Sequence, residues 1–356
     1  MAKKTLKKLK IAVAMSGGVD SSVAAALLKK QGHEVAGFFL HFWHEPKAGS
    51  QENKCCSAEA LLDARQVAAK IGIPLYTLNF AKIFKKEVVD NFLAEYNCGR
   101  TPNPCVRCNK RVKLGNLIKQ VKKLGFDYLA TGHYVNLKNG KLYKAKDKTK
   151  DQSYFLYTFS QSELKSLLFP LGGYTKKEVR GLAKKFKLLV AEKAESQEIC
   201  FITGKSHNEF LKKYLSLKPG KIKTLDNKII GSHLGLPLYT IGQRKGIEIG
   251  GTGPYYAAKL DYKTNTLYVV NSPADKNLFK NKLTAKNVNW LVSEPKLSFF
   301  CQAVIRYRHK PVACAIKKIK GHTYQVKFKK PQRAITPGQS VVFYKGQEVL
   351  GGGIIS

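Results

Sequence analysis

Ile11-Ala-Val-Ala-Met-Ser-Gly-Gly-Val-Asp-Ser-Ser22 decides how this chain is read. Its short, continuous apolar opening has the pattern of a buried parallel strand, and the Val and Ile content favours strand over helix. Two adjacent glycines, Gly17 and Gly18, let the backbone turn tightly and approach a ligand with no Cβ in the way. A helical run opens at Asp20, so its unsatisfied N–H groups and the positive end of its dipole face whatever the loop holds. That arrangement suits an anion, most often a phosphate. The loop has neither the Lys of a Walker A loop nor the spacing of a dinucleotide fingerprint, so it holds a nucleotide phosphate in some other way. Ser-Gly-Gly alone would make an ordinary turn and cap, but seven residues between a strand and a helix are far more specific. Asp20 suits a magnesium ion on a pyrophosphate, a role compatible with complementing the helix dipole.

The chain has 356 residues, enough for two or three domains. No apolar stretch is long enough to span a bilayer, which predicts no membrane association. The opening Met1-Ala-Lys-Lys-Thr-Leu-Lys-Lys-Leu-Lys10 has no apolar core or small-residue cleavage site, so a cytoplasmic location is expected. With 63 Lys and Arg against 24 Asp and Glu the net charge is +39, a field that attracts polyanions. A solvated Lys-rich surface would look the same, and charge cannot separate RNA from DNA.

Strand-like and helix-like segments alternate through the first half, predicting a doubly wound α/β domain with a parallel sheet. Nucleotides bind such sheets outside the carboxyl ends of the strands, where Ser16–Asp20, Leu40, Gly132 and His133 fall. A helix is expected over 109–124, after the rigid, non-helical approach Thr101-Pro-Asn-Pro104. Beyond about Phe201 glycine-punctuated alternating segments take over, including 228–233, 236–241, 255–260 and 266–270. From 282 to 356 short strands continue, so two small β-rich, barrel-like modules follow the α/β domain. The boundaries expected are 1–202, 203–280 and 281–356.

Eight cysteines in a chain of this kind favour metal or redox chemistry over a disulfide framework. Cys108 is expected at a helix N-terminus beside Arg107, Lys110 and Arg111, where dipole and charge raise its thiolate fraction. That describes a nucleophile; the alternative is half of a Cys-x-x-Cys pair with Cys105. Cys200 lies in Glu195-Ser-Gln-Glu-Ile-Cys-Phe-Ile202, where a solitary Cys is usually core. Vicinal Cys55 and Cys56 could bind metal, form a strained disulfide or remain two thiols, and Cys98 suggests only packing. Cys301 and Cys314, in strand-like segments, read as small buried hydrophobes. His41 and His44 read as solvated or capping residues.

The opening loop resembles the PP-loop of the N-type ATP pyrophosphatases, the adenine nucleotide alpha hydrolase-like group, which split ATP into AMP and pyrophosphate. With Asn103-Pro-Cys-Val-Arg-Cys-Asn109 and Ser196-Gln-Glu-Ile-Cys-Phe-Ile202, in this order, the chain resembles the tRNA-specific 2-thiouridylases, which thiolate the wobble uridine. Further matching segments are Ala130-Thr-Gly-His-Tyr134, Lys150-Asp-Gln-Ser-Tyr-Phe-Leu156, Tyr239-Thr-Ile-Gly-Gln-Arg-Lys-Gly246, Arg306-Tyr-Arg308 and Thr336-Pro-Gly-Gln339.

The resemblance implies adenylation of the carbon-2 oxygen of the uridine, then sulfur delivery from a persulfide with loss of AMP. It gives Cys108 the role of nucleophile and Cys200 that of persulfide carrier. ATP would be lined by Ala14, Met15, Ser16, Gly17, Gly18, Val19, Asp20, Ser21, Leu40 and Gly132, with Leu40 acting through its backbone. Asn103, Pro104 and Cys105 would face the target base, while His133, Lys150, Asp151, Gln152, Arg306, Tyr307 and Gln339 would touch the tRNA. The family suggests tRNAs for Lys, Glu and Gln, and a cysteine desulfurase or persulfide relay protein as sulfur donor. One branch of the family has Asp where this chain has Cys105, and that third thiol opens a second route. An iron–sulfur cluster on Cys105, Cys108 and Cys200 with one iron free for sulfide is chemically reasonable, although the persulfide route is preferred.

Basic and aromatic residues interleave at 138–150 and 299–310, a pattern that grips loop RNA. Flipping of the target base is expected. Among other PP-loop enzymes, lysidine and argininosuccinate-type synthetases need no cysteine pair. A 4-thiouridine synthetase would carry an N-terminal RNA-binding module. A non-catalytic RNA-binding protein with a relic loop would have no use for Cys108 and Cys200 together.

Overall fold

The structure is a computed structural model describing residues 8–45, 57–194, 199–202, 206–247, 249–250, 253–295 and 298–356. Cys55, Cys56 and Glu195–Glu198 of the Cys200 motif lie outside the described residues. The chain forms two compact units: Met1–Val89, Pro104–Gly204 and Gln347–Val349 make the first, and the remainder makes the second.

The first unit is built on the apolar run just read. Strand β1 (Lys10–Met15) is buried over most of its length, with Ile11, Ala12 and Val13 fully inaccessible. Helix α1 (Val19–Lys30) follows, closed by Lys29 and Lys30 against the negative end of its dipole. Strand β2 (Glu34–His41) leads to α2 (Ala58–Ile71), capped by the Ser57 hydroxyl accepting from the Ala60 amide at 3.1 Å. Next come β3 (Leu75–Asn79) and α3 (Ala81–Phe84), the latter running into a π-helical segment, Lys85–Asp90.

The chain contributes α4 (Asn91–Asn97) to the second unit and returns with α5 (Pro104–Cys108), a π-helical turn (Asn109–Lys113) and α6 (Gly115–Lys123). Strand β4 (Tyr128–Ala130) precedes a hairpin of β5 (Asn136–Lys138) and β6 (Lys141–Tyr143). The unit is completed by α7 (Gln161–Leu164), β7 (Leu167–Leu168) and α8 (Lys176–Lys185). Its sheet is parallel throughout, in the order β3-β2-β1-β4-β7. Strand order reverses at β1, so the topological switch lies between β1 and β4, where open α/β sheets bind ligands.

Two local expectations need correction. The helix after Thr101 begins at Pro104, not Asn109: proline is favoured in the first helical position because its missing N–H would be unsatisfied there anyway. The hairpin was not expected; Asn139 and Gly140, both at positive φ (51° and 73°), make the two-residue turn that Asn-Gly prefers.

The second unit has two sheets. With α9 (His207–Tyr214) come β8 (Gly220–Thr224), β9 (Ile229–His233), β10 (Tyr256–Asp261) and β11 (Thr266–Val270), in the order β10-β11-β8-β9. The stretch 236–241 is not a strand: Leu236–Leu238 is a short 3-10 turn, with Pro237 unable to donate to a ladder.

The remaining strands are β12 (Phe279–Trp290), β13 (Phe299–Val304), β14 (Val312–Lys320), β15 (Thr323–Arg333), β16 (Ser340–Lys345) and β17 (Glu348–Ile355). They follow one another as β12-β15-β14-β13-β16-β17, and β17 pairs back with β12 to close a six-stranded barrel. Alternate residues such as Ile316, Val326, Val341 and Phe343 fill its interior. Trp290 stacks on Phe343 with ring centroids 5.4 Å apart and donates its indole N–H to the Tyr324 hydroxyl at 3.1 Å.

Candidate active site

The glycine loop at the end of β1 has no slack. Gly17 has φ +68°, and a Cβ there would sit 2.1 Å from the Ala60 carbonyl oxygen. Ser21 ties the loop across its base: its hydroxyl accepts from the Ser16 amide at 3.2 Å and donates to the Gly18 carbonyl at 3.2 Å. Ser22 donates to the same carbonyl at 2.8 Å. Gly18 caps α1 without a side chain. The first amides of the helix therefore have no capping side chain at Gly18, an arrangement suited to an anion.

Across the switch point, a Cβ on Gly132 would lie 2.7 Å from the Ser21 amide nitrogen, so the loop after β4 packs directly on the start of α1. Ala14, Met15 and Val19 flank the loop, and Leu40 is buried near the end of β2.

Asp20 is oriented from two sides. Its Oδ1 accepts from the Tyr134 hydroxyl at 2.8 Å and the Lys176 ammonium at 2.6 Å. Sequence reasoning missed both partners as functional residues: Tyr134 ended a quoted motif, and Lys176 signalled only a helix start within the capping box of Thr175 and Glu178. His133 bonds through Nδ1 to the Thr131 hydroxyl at 2.8 Å. Burial, with help from Lys113, pushes its pKa down to about 3, so the ring is neutral.

Asp151 and Gln152 brace the same loops. Asp151 accepts from the amides of Ala145 (3.0 Å) and Ser153 (3.2 Å) and from the Ser153 hydroxyl (2.8 Å), and burial raises its pKa. Gln152 accepts from the Tyr134 amide at 2.9 Å. Lys150 caps the adjoining turn, donating its amide to Asp147. Close by in this unit, Lys138, Lys144, Lys146, Lys148 and Tyr143 line a basic groove of about 380 Å³.

Cys108 is the fifth residue of α5 and is buried, whereas Cys105 stands exposed in the first turn. The argument from a helix N-terminus therefore moves from Cys108 to Cys105. The charges beside Cys108 are also largely compensated: Arg107 pairs with Glu87 at 2.9 Å and Lys110 with Glu163 at 2.6 Å. Cys200 is half-buried, and the next residue, Phe201, is buried. Phe201 meets Phe84 edge-on at 5.9 Å, Phe84 packs on Phe42 at 4.9 Å, and Lys113 lies over the Phe42 ring at 5.9 Å. One aromatic cluster thus anchors both the Cys200 turn and the helical segment that follows Cys108.

Asn103, Arg306, Tyr307 and Gln339 belong to the second unit. There Gln339 donates to the carbonyls of Thr101 and Pro102, both at 3.0 Å, and the Thr101 amide donates to Pro337 at 2.9 Å. Gln339 thus fixes the approach to Asn103. Arg306 and Tyr307 are half-buried, and the Arg308 guanidinium lies 5.3 Å from the Tyr307 ring centre. Among the described residues no group of three His, Cys, Asp or Glu side chains could hold a metal ion. Cys105, Cys108 and Cys200 are accordingly not gathered into such a group in this structure. No helix among these residues is long and apolar enough to cross a membrane.

Three family models match: a tRNA methyl transferase HUP domain over residues 9–204, a tRNA methyl transferase PRC-barrel domain over 208–271 and an aminomethyltransferase beta-barrel domain over 280–355. The tRNA-specific 2-thiouridylase MnmA of Carboxydothermus hydrogenoformans is 45% identical, over 97% of this chain and 97% of that one. The MnmA of Geobacter metallireducens is 45% identical over 100% and 98%, and that of Coxiella burnetii (strain RSA 493 / Nine Mile phase I) is 44% identical over 97% and 98%. Among solved structures, a 4-thiouridine synthetase–RNA complex with bound ATP aligns with a TM-score of 0.37 and 18% identity, covering 58% of this chain and 49% of that one.

Proposed function

The chain belongs to the tRNA-specific 2-thiouridylase family, and we propose that it uses ATP to replace the carbon-2 oxygen of a tRNA wobble uridine with sulfur. The observation that carries this reading is an uncapped, glycine-built helix start at the switch point, held in the same compact unit as Cys108 and Cys200. The first domain model is named for methyl transfer, but the relatives matching all three regions are thiouridylases, and paired cysteines suit sulfur chemistry.

In this reading Gly17, Gly18 and the first amides of α1 bind ATP phosphates, with Ala14 to Ser21, the Leu40 backbone and Gly132 shaping the pocket. Asp20, aimed by Tyr134 and Lys176, would hold magnesium, whose oxygen preference it matches and which would neutralise the leaving pyrophosphate. The uridine oxygen attacks the α-phosphorus and pyrophosphate leaves, making a poor leaving group a good one. The terminal sulfur of a persulfide on Cys200 then attacks carbon 2 and AMP departs with the oxygen. The Cys108 thiolate takes the Cys200 sulfur, releasing 2-thiouridine and leaving a Cys108–Cys200 disulfide for a thiol reductant.

Asn103, Pro104 and Cys105 line the base; Arg306, Tyr307 and the lysines of the basic groove bind the tRNA backbone. His133, neutral by burial, contacts the tRNA as a hydrogen-bonding ring and not as a cation. Asp151, Gln152 and Gln339 act by holding loops in place.

The test is incubation with ATP, magnesium, a persulfide donor and unmodified tRNA for Lys, Glu or Gln. Nucleoside mass spectrometry should find oxygen replaced by sulfur in the wobble uridine, with AMP formed in step. ATP cleavage without tRNA dependence, or sulfur at another position, would overturn the reading.

A further inference from the structure

Cys301 and Cys314 lie outside everything assigned above. They sit directly opposite each other on antiparallel strands β13 and β14 of the barrel, and their Sγ atoms are 3.7 Å apart. Residues directly opposed in such a ladder point to the same face, here the barrel interior: Cys314 is buried in the core cluster and Cys301 packs against it from a half-buried position. Cα separations of directly opposed antiparallel residues, ~4.5 to ~5.5 Å, fall within the window that a disulfide spans, about 4.4–6.8 Å. The strands are already in register, so rotation of the two side chains is the movement needed to join the sulfurs.

We propose that Cys301 and Cys314 are a redox modification site that closes into a reversible cross-strand disulfide under a peroxide-class oxidant. In forward chemistry the two S–H bonds and the peroxide O–O bond break, one S–S bond forms and two waters leave. A dithiol reductant reverses the step, its own two thiols becoming the disulfide while the protein sulfurs regain their hydrogens. The hydrogen bond between the sulfurs, together with burial, pushes the Cys301 thiol well above its ordinary pKa. Since the thiolate is the reactive form, closure is slow, and the pair records sustained oxidation and not a brief pulse. This proposal is independent of the thiolation reading, because neither residue belongs to the unit holding Cys108 and Cys200.

The experiment uses the full-length chain, fully reduced and then exposed to hydrogen peroxide while folded. Remaining thiols are alkylated in denaturant, and the digest is mapped by mass spectrometry without reduction. The expected result is a cross-linked peptide pair joining Cys301 to Cys314, accumulating with exposure, lost on dithiothreitol treatment and absent in C301S and C314S. Circular dichroism of the oxidised protein should retain the native spectrum, separating native closure from cross-linking of unfolded chains. Full alkylation of both residues after exposure that oxidises exposed Cys105 would overturn the proposal. So would a cross-link found only once the spectrum is lost.

Discussion

The parallel sheet of the first unit and the closed barrel of the second satisfy their backbones in different ways, and the difference decides where chemistry can sit. The sheet leaves its strand ends open, and the chain there turns through glycines into an uncapped helix start. The barrel closes β17 on β12 and fills its centre with side chains such as Phe343 and Val341. Polar side chains in the sheet unit are held by charge pairs, Asp20 with Lys176 and Lys110 with Glu163. The barrel interior is ordered by ring packing, as in Trp290 on Phe343.

The sharpest way to break this comparison is to remove a sulfur from the sheet unit. Cys108→Ser and Cys200→Ser should each lower tRNA thiolation by at least about a thousandfold, while filter-binding affinity for tRNA stays within about threefold. Wild-type activity in either variant would remove the chemistry from this unit. In the barrel, Phe343→Ala should cost about 3–5 kcal/mol of stability through the cavity it leaves, read by denaturant unfolding. ATP affinity of the folded fraction should be unchanged, since the loop belongs to the other unit.

Gly17→Ala brings a Cβ against the Ala60 carbonyl at a left-handed φ. A cost of about 3 kcal/mol is expected from overpacking and strain combined, together with lost ATP binding by calorimetry. The smallest effect concerns His133, whose folded pKa is depressed to about 3 from an ordinary 6.5. Between those values the unfolded chain binds the extra proton, so this contribution is complete above the ordinary value and fades as pH falls. From about pH 7 to about pH 5.5 the loss should be roughly 1 kcal/mol, and His133→Gln should flatten that dependence in denaturant titrations.

What could be read in the sequence was local. The strand, glycine turn and helix of residues 10–30 announce themselves through an apolar run and two glycines. The α/β class and the β-rich remainder followed from periodicity, and the family from three short motifs. The helix start at Pro104 was missed because proline reads equally as a breaker or as a first helical residue. The hairpin at Asn139-Gly140 carries a clear turn signal, but it sits among lysines that read equally as a solvated basic run.

Charge partners were not legible at all. Glu87 is 20 residues from Arg107, Glu163 is 53 from Lys110, and Asp20 is 156 from Lys176. Such pairs exist only once the fold is made. Cys301 facing Cys314 is the same kind of fact: each sits in an ordinary apolar strand, and only the register brings them opposite.

Gln339 holds the carbonyls of Thr101 and Pro102 from 238 and 237 residues further along the chain. During synthesis, then, the approach to Asn103 lacks its clamp until residue 339 has emerged. The order of translation becomes an order of assembly: the strand and glycine turn of residues 10–18 emerge long before the segment leading to Asn103 can be fixed.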